Sequence, residues 1–350
     1  MVKIGIIGCG KIAQIRHIPE YIQNPDAKII GFYDLNRERA GKLAARYGAA
    51  AYDSVEELLA DPGIDAVSVC TANHAHGPIT IAALRAGKHV LCEKPMAVTE
   101  EECEQMVEEA RKAGKFLMIG QNQRLARVHV KARELIRQGE IGKILTARTS
   151  FGHGGPESWS VDSGKGTWFF DKDKAVMGAM ADLGIHKTDL LQYLCGGTIR
   201  RVTARTATLD KRYEDGTPIS VEDNGFCIYE MDNHVFAYMN ASWTCYGKEE
   251  NSTVLYGTEG TLRICDDPAH SIVLIKKNGE RYLYDVEPIQ TNHSQSRSGV
   301  IDLWIDSLVR RKKPEISGES VLPAMRAVFG AMVSAREGRT VEVNQQEVRE

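Results

Sequence analysis

The first thirteen residues, MVKIGIIGCGKIA, place a short apolar strand directly before a glycine-rich turn. The turn, Gly8-x-Gly10-x-x-Ala13, has the spacing of the βαβ unit that binds dinucleotides. Gly8 permits the tight turn, Gly10 lets the backbone approach a pyrophosphate, and Ala13 lets the helix pack closely on the strand. The helix that begins at Lys11 and Ile12 directs its first N–H groups at the phosphates, where they favour an anion. The sequence therefore predicts an α/β nucleotide-binding domain.

A second apolar run, residues 28–33, ends at Asp34, which follows Ala13 by 21 residues. A carboxylate at this spacing accepts hydrogen bonds from the adenosine ribose and repels a 2′-phosphate, which favours NAD over NADP. In the alternative interpretation, Asp34 is the N-cap of a helix predicted over 36–47. Arg39 in that helix is a candidate for stacking on the adenine, although a solvated helix arginine is the simpler interpretation.

Length and composition predict a soluble protein of two domains. The chain has 350 residues, of which 43% are hydrophobic and 26% charged, and its net charge is −3. This balance gives no indication of a nucleic-acid partner, and the longest basic run, residues 310–313, is expected to end a helix. Eight scattered cysteines without a C-x-x-C pair indicate a reducing compartment. With a strand at residue 2 and no membrane-length apolar run, we expect a cytoplasmic protein that does not bind membranes.

Strands and helices alternate through the first 122 residues. After the first two units, strands are predicted over 66–70, 89–92 and 116–120, with helices over 54–60, 76–86 and 99–113. Ser54 with Glu57 and Thr99 with Glu102 form capping boxes at two of these helices. The alternation predicts a Rossmann domain, a doubly wound parallel sheet over 1–122, with ligands at the carboxyl ends of its strands.

The pattern changes to α+β over 123–350. Helices are predicted over 128–138, 178–194, 300–310 and 321–336, and a Gly-, Ser- and Trp-rich loop over 151–174. Strands are predicted over 201–208, 225–231, 235–242, 252–256, 261–265, 271–275 and 282–286. We expect an open, mainly antiparallel sheet with helices on one face. The other face is expected to bury against a second subunit, which predicts a homodimer or homotetramer.

Candidate chemical groups occur in three segments: Glu93-Lys94-Pro95, Thr71 with Asn73 and His76, and Asp182 with His186 and Asp189. The first two segments each follow a predicted strand, which places them at the carboxyl edge of the sheet. In the third segment, Asp182 and His186 are four positions apart and His186 and Asp189 are three apart, which places the three side chains on one helical face. Taken singly, Lys94 would be a loop lysine and the helical group a solvated polar face. Their coexistence with the phosphate turn favours a catalytic interpretation.

Further candidates carry two interpretations each. Residues 121–124, with Asn122 and Arg124, are a hinge between domains or a substrate contact. Trp168 is a platform for a sugar ring or an anchor in the core. His153 is interpreted as a loop residue. No other His or Cys cluster has the spacing of metal ligands, so no metal site is predicted.

At these motifs the chain resembles the glucose–fructose oxidoreductase/inositol dehydrogenase (Gfo/Idh/MocA) family, over residues 2 to about 343. The resemblance rests on Glu93-Lys94-Pro95, on Gly178-x-x-x-Asp182-x-Gly184-x-His186-x-x-Asp189, on Glu222-Asp223-Asn224, and on Tyr256-Gly257-Thr258-Glu259-Gly260. It implies a Rossmann domain, an open C-terminal sheet that forms subunit contacts, and NAD(P)-dependent oxidation or reduction of sugars, inositols and related polyols. One departure is Val176-Met177-Gly178, where the family commonly has a run of glycines.

The resemblance also implies roles for individual residues. Lys94 would be the active-site lysine, Asp182 and His186 the catalytic pair, and Asn73 and His76 a segment beside the cofactor. The predicted cofactor-binding residues are Gly8, Gly10, Lys11, Ile12, Asp34, Arg39, Thr71, Asn73, His76, Glu93 and Lys94. The predicted substrate contacts are Asn122, Arg124, Trp168, Asp182 and His186. Asp189 would orient His186, or it is a solvated helix carboxylate.

The expected reaction moves a hydride between a nicotinamide cofactor and a secondary hydroxyl of a sugar, inositol or glycoside. A neutral histidine is a suitable base for the hydroxyl proton near pH 7, and an ammonium stabilises the developing alkoxide. Two alternatives remain: glycoside cleavage through transient oxidation at C3, and a non-enzymatic NAD-sensing regulator on the same fold.

Overall fold

The computed structural model describes residues 1–162, 164–287, 289 and 297–343. In the N-terminal part the strands are β1 Val2–Ile7, β2 Ala27–Tyr33, β3 Ala50–Ala51, β4 Ala66–Val69, β5 His89–Cys92 and β6 Leu117–Ile119. The α-helices are α1 Ile18–Gln23, α2 Arg37–Tyr47, α3 Val55–Ala60, α4 His76–Arg85 and α5 Glu100–Ala113. A π-helical turn, Ala13–His17, leads into α1.

The six N-terminal strands form one sheet in the order β3-β2-β1-β4-β5-β6 among the described residues. All neighbouring strands run parallel. The chain winds outward in both directions from β1 and β4, so the gap between their carboxyl ends is the topological switch point at which such sheets bind ligands. The predicted doubly wound parallel sheet is confirmed.

Local caps explain where three of the helices begin. Ser54 accepts a hydrogen bond from the Glu57 N–H at 3.0 Å, and Thr99 accepts one from the Glu102 N–H at 3.1 Å, as the sequence predicts. The alternative interpretation, in which Asp34 is the N-cap of the helix that follows it, is wrong. The N-cap of that helix is Asn36, whose side chain accepts the Arg39 N–H at 3.0 Å. Asp34 is therefore not required as a cap.

The C-terminal part contains a second sheet. Its strands are β7 Ile144–Gly152, β8 Ile199–Ala207, β9 Asn224–Met231, β10 Phe236–Ser242, β11 Glu250–Gly257, β12 Gly260–Ile264, β13 Ile272–Lys276, β14 Arg281–Tyr284 and β15 Val341–Glu342. The α-helices are α6 Arg127–Arg137, α7 Lys172–Ala175, α8 Ile185–Cys195, α9 Val300–Arg310 and α10 Gly318–Glu337. Among the described residues the strand order is β14-β13-β12-β11-β7-β10-β9-β8-β15. Of the strand pairs that the described residues form in this sheet, β7–β10 is the parallel one and the others are antiparallel, so the expected mainly antiparallel sheet is confirmed.

Two elements correct the sequence prediction. β7 was not predicted and includes the start of the expected 151–174 loop, although it lies at the centre of the sheet. Its alternate residues Ala147, Thr149 and Phe151 are buried, while Thr and Arg side chains on the other face weaken its apolar signal. The helix predicted over 178–194 is also not uniform, because a π-helical turn, Met180–Gly184, precedes α8. This turn carries Asp182.

The two faces of the second sheet differ. α8 and α10 pack on one face, while the other exposes large apolar side chains, among them Phe226, Ile228, Phe236 and Tyr238, each more than half exposed. The chain also returns to the first domain after β14. Ile119 N–H donates to the Ile316 carbonyl, and α10 packs on α5. These contacts hold the second sheet against the carboxyl edge of the first.

Candidate active site

A cavity of about 640 Å³ lies between the carboxyl edge of the first sheet and the second domain. This volume is within the usual range of small-molecule sites. Every predicted cofactor, substrate and catalytic residue lines it except Arg124. Residues from separate halves of the chain, among them Lys94 and His186, therefore face one space.

The glycine turn forms one end of this cavity. Gly8 has a φ of +89°, and a Cβ there would lie 2.6 Å from the carbonyl carbon and oxygen of Cys70. A Cβ on Gly10 would meet nothing within 4 Å, so that position opens into the cavity that Lys11 and Ile12 also line. A backbone without side-chain bulk beside open space is what close approach of a pyrophosphate requires. The turn thus fits a dinucleotide.

Asp34 is held at the same end. Its Oδ2 accepts the Cys9 N–H and its Oδ1 accepts the Asn36 N–H, each at 2.7 Å. Arg39 is not a solvated helix arginine, because its Nη2 lies 2.7 Å from Asp162 Oδ1 and its Nη1 3.6 Å from Asp34 Oδ1. Asp162 belongs to the loop of the second domain. Arg39 therefore joins the two domains across the adenosine end.

Glu93 is clamped by two residues that sequence reasoning did not single out. Its Oε1 lies 2.9 Å from Arg16 Nη1 and 2.8 Å from His17 Nε2, and all three side chains are buried. Burial alone would raise the pKa of Glu93, but Arg16, His17 and Lys94 together hold that pKa well below its ordinary value. The carboxylate stays ionised and fixes the strand end that carries Lys94.

The segment with Asn73 and His76 is held by backbone carbonyls. Asn73 Nδ2 donates to the Ala175 carbonyl at 2.9 Å. The two ring nitrogens of His76 lie 2.7 Å from the Pro95 carbonyl and 3.1 Å from the Thr71 carbonyl. Burial lowers the pKa of His76. Both side chains therefore fasten the cavity wall, and Thr71 lies on that wall.

Asp182 is the centre of a buried polar network. Lys94 Nζ donates to the backbone carbonyl and to Oδ1 of Asp182, each at 2.9 Å. Trp243 Nε1 donates to Oδ2 at 3.0 Å, and His153 Nε2 lies 3.6 Å from the same oxygen. Burial would raise the pKa of Asp182, but Lys94 and then His153 hold that pKa far below its ordinary value. The carboxylate is ionised and holds the lysine across the domain boundary.

His153 belongs to this network and is more than a loop residue. The Gly155 N–H donates to its Nδ1 at 3.0 Å, so this nitrogen acts as an acceptor. In the neutral ring, the proton is then on Nε2, which faces Asp182. The sequence carried no signal for this contact, because His153 and Asp182 are far apart in the chain.

His186 is buried in the cavity wall. Burial, followed by the nearby charge of Lys94, lowers the pKa of His186 well below its ordinary value, so the ring is neutral near pH 7. Its Nδ1 has no hydrogen-bond partner among the described residues, and its ring centroid lies 6.0 Å from that of Phe151. A neutral imidazole can accept a proton, which is the property a general base needs.

Asp189 and Arg124 bind each other away from the cavity. Arg124 Nε donates to Asp189 Oδ2 at 2.7 Å, Nη2 contacts Oδ1, and Nη2 also donates to the Ser320 carbonyl at 2.9 Å. Asp189 is neither solvated nor directed at His186. Arg124 joins α8 to α10, whereas Asn122, two residues earlier, lines the cavity.

The segment that leads into the π-helical turn Met180–Gly184 is packed against Glu222. Its Oε1 accepts the Gly178 N–H at 2.7 Å and the Met180 N–H at 3.1 Å. Burial raises the pKa of Glu222 to about 7. Val176, where the family commonly has glycine, adopts a φ of +66°, and Met177 lines the cavity. A β-branched residue in this conformation is strained.

Trp168 lines the cavity and stacks on Phe169, with ring centroids 3.9 Å apart and planes at 24°. The ring is thus anchored by an aromatic neighbour and also faces the space for a ligand.

The described residues contain no group of three or more His, Cys, Asp or Glu side chains able to hold a metal ion. Within the same residues, none of the helices has the length and apolar character needed to span a bilayer.

Comparison with known proteins agrees with this geometry. The family model described as "Oxidoreductase family, NAD-binding Rossmann fold" matches residues 2–121, and the GFO/IDH/MocA C-terminal domain matches residues 129–263. A myo-inositol 2-dehydrogenase of Thermotoga maritima is 26% identical, over 98% of this chain and 99% of that protein. A D-glucoside 3-dehydrogenase of Escherichia coli K12 is 30% identical, over 71% of this chain and 72% of that protein.

Among solved structures, the WlbA dehydrogenase of Bordetella pertussis in complex with NADH and UDP-GlcNAcA is similar, with a TM-score of 0.83 and 26% identity over 99% of both chains. The similarity therefore covers both domains and the cavity between them. The chain belongs to the Gfo/Idh/MocA family of NAD-binding oxidoreductases.

Proposed function

We propose that this enzyme transfers a hydride between NAD and a secondary hydroxyl of a sugar, inositol or glycoside, with Lys94, Asp182 and His186 as catalytic residues. The observation that carries the proposal is the meeting of these residues from opposite sides of one cavity, with Lys94 Nζ 2.9 Å from Asp182. The relatives named for inositol and glucoside dehydrogenation support the substrate class.

His186 is the base in this mechanism. Its lowered pKa keeps the imidazole neutral at physiological pH, so the ring can take the proton of the substrate hydroxyl. Lys94 places an ammonium beside the same oxygen and stabilises the negative charge that develops as the proton leaves. Asp182 holds that ammonium in position. NAD, when bound, supplies the hydride acceptor.

The remaining residues bind the cofactor in this proposal. Gly8, Gly10, Lys11 and Ile12 form the pyrophosphate turn, and Asp34 accepts hydrogen bonds from the adenosine ribose. An aspartate at this position disfavours the 2′-phosphate of NADP. Thr71, Asn73, His76 and Glu93 shape the nicotinamide end, and Arg39 covers the adenosine end. Asn122 and Trp168 contact the substrate.

Residues 1–122 act as the cofactor domain and residues 123–350 as the substrate and assembly domain. We expect a homodimer or homotetramer formed through the exposed face of the second sheet, because that face carries Phe226, Ile228, Phe236 and Tyr238 in solvent. All eight cysteines lie in the described residues and are free thiols. Free thiols support a cytoplasmic location.

The test is a screen of inositols, hexoses and glycosides with NAD, read as absorbance of NADH. We expect NADH to form with at least one polyol and to be lost in the Lys94→Ala variant. Cleavage of an aryl glycoside without net NADH would favour transient oxidation at C3. An NAD-controlled protein complex without redox activity would favour the regulator.

A further inference from the structure

The catalytic end of the cavity contains more polar groups than hydride transfer uses. In the described part of the chain, the buried atoms of cavity-lining residues that lack a hydrogen-bond partner include His186 Nδ1, Asn122 Oδ1, Gln123 Oε1, Trp159 Nε1 and both amide atoms of Asn251. A buried polar atom without a partner is destabilising, which is why such atoms are normally satisfied. A change of side-chain rotamer on ligand binding would let hydroxyl groups of the ligand reach these atoms.

Glu249 adds a carboxyl group to this wall. It directly precedes β11, and Asn251 in β11 lies opposite Phe151 of β7 in the sheet. Burial is the largest influence on the pKa of Glu249 and raises it. Asp182 also raises this pKa, whereas His153 and Asn251 lower it. Glu249 and Asn251 both line the cavity that Lys94, Asp182 and His186 also line. No ion pair of Glu249 within 4.0 Å occurs among the residues that the structure describes.

Four of the five lysines and arginines that line the cavity in the described ranges are ion-paired with carboxylates. Of the lining lysines and arginines in the described ranges, the ion-paired ones are Arg16 with Glu93, Arg39 with Asp34 and Asp162, Lys94 with Asp182, and Lys174 with Asp171. The other, Lys11, follows the phosphate turn.

The charge of Lys187 acts on Glu249, but Lys187 does not line the cavity. It is fully buried, its Nζ lies 5.7 Å from the ring centroid of Phe151, and burial lowers its pKa to about 7. It therefore presents no ammonium to a ligand. The carboxyl groups of Asp182 and Glu249 both line the cavity, and Lys94 is ion-paired with Asp182.

We propose that Glu249 and Asn251 form a hydroxyl-recognition subsite, and that the enzyme consequently prefers an uncharged polyol over a phosphorylated or carboxylated sugar. The inference rests on the proposed function and narrows its substrate class. A carboxylate and an amide bind neutral hydroxyls, whereas a second anion beside Glu249 and Asp182 is repelled in a partly water-excluded cavity. The unpartnered amide atoms also disfavour a ligand that lacks hydroxyls.

The experiment compares kcat/KM with NAD for matched sugars: D-glucose, D-glucose 6-phosphate and D-glucuronate, and myo-inositol with its 1-phosphate. We expect the uncharged member of each set to be favoured by about tenfold or more, since one close charge contact of about 1.4 kcal/mol gives that factor. Glu249→Gln should raise KM for the uncharged sugar and shrink the preference several-fold. The matched control Glu250→Gln, at an exposed neighbour outside the cavity, should leave the preference unchanged.

Asn251→Leu provides a second variant and should raise KM for the uncharged sugar while NADH binding stays the same. A wild-type preference for the phosphorylated or carboxylated sugar would overturn the subsite proposal and leave the proposed oxidoreductase function standing. An unchanged preference in folded Glu249→Gln would also overturn it. If the enzyme binds NADH but no sugar reduces NAD, the proposed function itself fails.

Discussion

Replacement of Gly178 by alanine should damage both stability and catalysis. A Cβ at this position would lie 2.0 Å from the Glu222 carbonyl oxygen. Favourable carbon contacts begin near 3.5 Å, so the two segments would have to separate by about 1.5 Å. The Ala179 N–H···Glu222 O bond of 2.9 Å and the Gly178 N–H···Oε1 bond of 2.7 Å would then break.

The magnitude follows from these contacts. Two lost hydrogen bonds contribute about 1 kcal/mol each, and overpacking adds about 1–3 kcal/mol, so the free energy of unfolding should fall by about 3–5 kcal/mol. Asp182, which we propose as catalytic, lies four residues after Gly178 in the π-helical turn Met180–Gly184, and a shift of about 1 Å in a catalytic group can reduce the rate about 10²-fold. We therefore expect a lower Tm together with a loss of kcat/KM of about two orders of magnitude.

The assay measures thermal unfolding by circular dichroism and kcat/KM on whichever sugar the screen identifies. Gly41→Ala is the matched control, because a Cβ there meets nothing within 4 Å and the position lies inside α2, where alanine is favoured by about 0.5–1 kcal/mol. If Gly178→Ala keeps the wild-type Tm and kcat/KM, the argument that this glycine fixes the catalytic helix is refuted.

Three further predictions concern charge. Lys187→Met should raise the free energy of unfolding at pH 7 by about 4 kcal/mol, because burial lowers the pKa of this lysine from 10.5 to about 7. The variant should also lose the rise in stability that the wild type shows between about pH 7 and 10.5, and chemical denaturation at several pH values measures both effects. Burial lowers the pKa of His129 from 6.5 to about 3, so this histidine binds a proton more readily in the unfolded chain. Wild-type stability should therefore fall as pH drops below 6.5, and His129→Gln should flatten that slope. An equal slope in the variant would show that His129 does not cause the pH dependence. Arg39→Ala and Asp162→Ala should each speed NADH release about two- to fivefold in stopped-flow displacement, the size expected for loss of a partly exposed ion pair. An unchanged release rate in both variants would show that the Arg39–Asp162 ion pair does not retain the cofactor.

The sequence predicted what local patterns determine. The parallel sheet, the caps at Ser54 and Thr99, and the placement of Asp34 at the cavity follow from short-range rules on strands, turns and helix starts. The alternation of apolar and polar segments was sufficient for the Rossmann domain. Lys94 and His186 could be expected at one site because each follows from a motif in its own domain.

The sequence could not predict contacts between distant segments. The clamp of Arg16 and His17 on Glu93 joins residues 77 and 76 positions apart, and nothing near either end signals it. The Arg124–Asp189 pair was missed for the same reason, although both residues were candidates for the site. Glu249 was missed because a single carboxyl before a strand resembles a surface residue until the sheet places it in the cavity.

The central claim is that the ammonium of Lys94 and the imidazole of His186 act together on the hydroxyl group of the carbon that loses its hydride. Single-turnover hydride transfer, measured on Lys94→Ala preloaded with NAD, tests it most directly, with NADH binding measured separately. We predict NADH affinity within about tenfold of wild type and hydride transfer slowed by about 10²–10³-fold, as for loss of one group that stabilises developing charge. Hydride transfer at the wild-type rate in this variant would contradict the account.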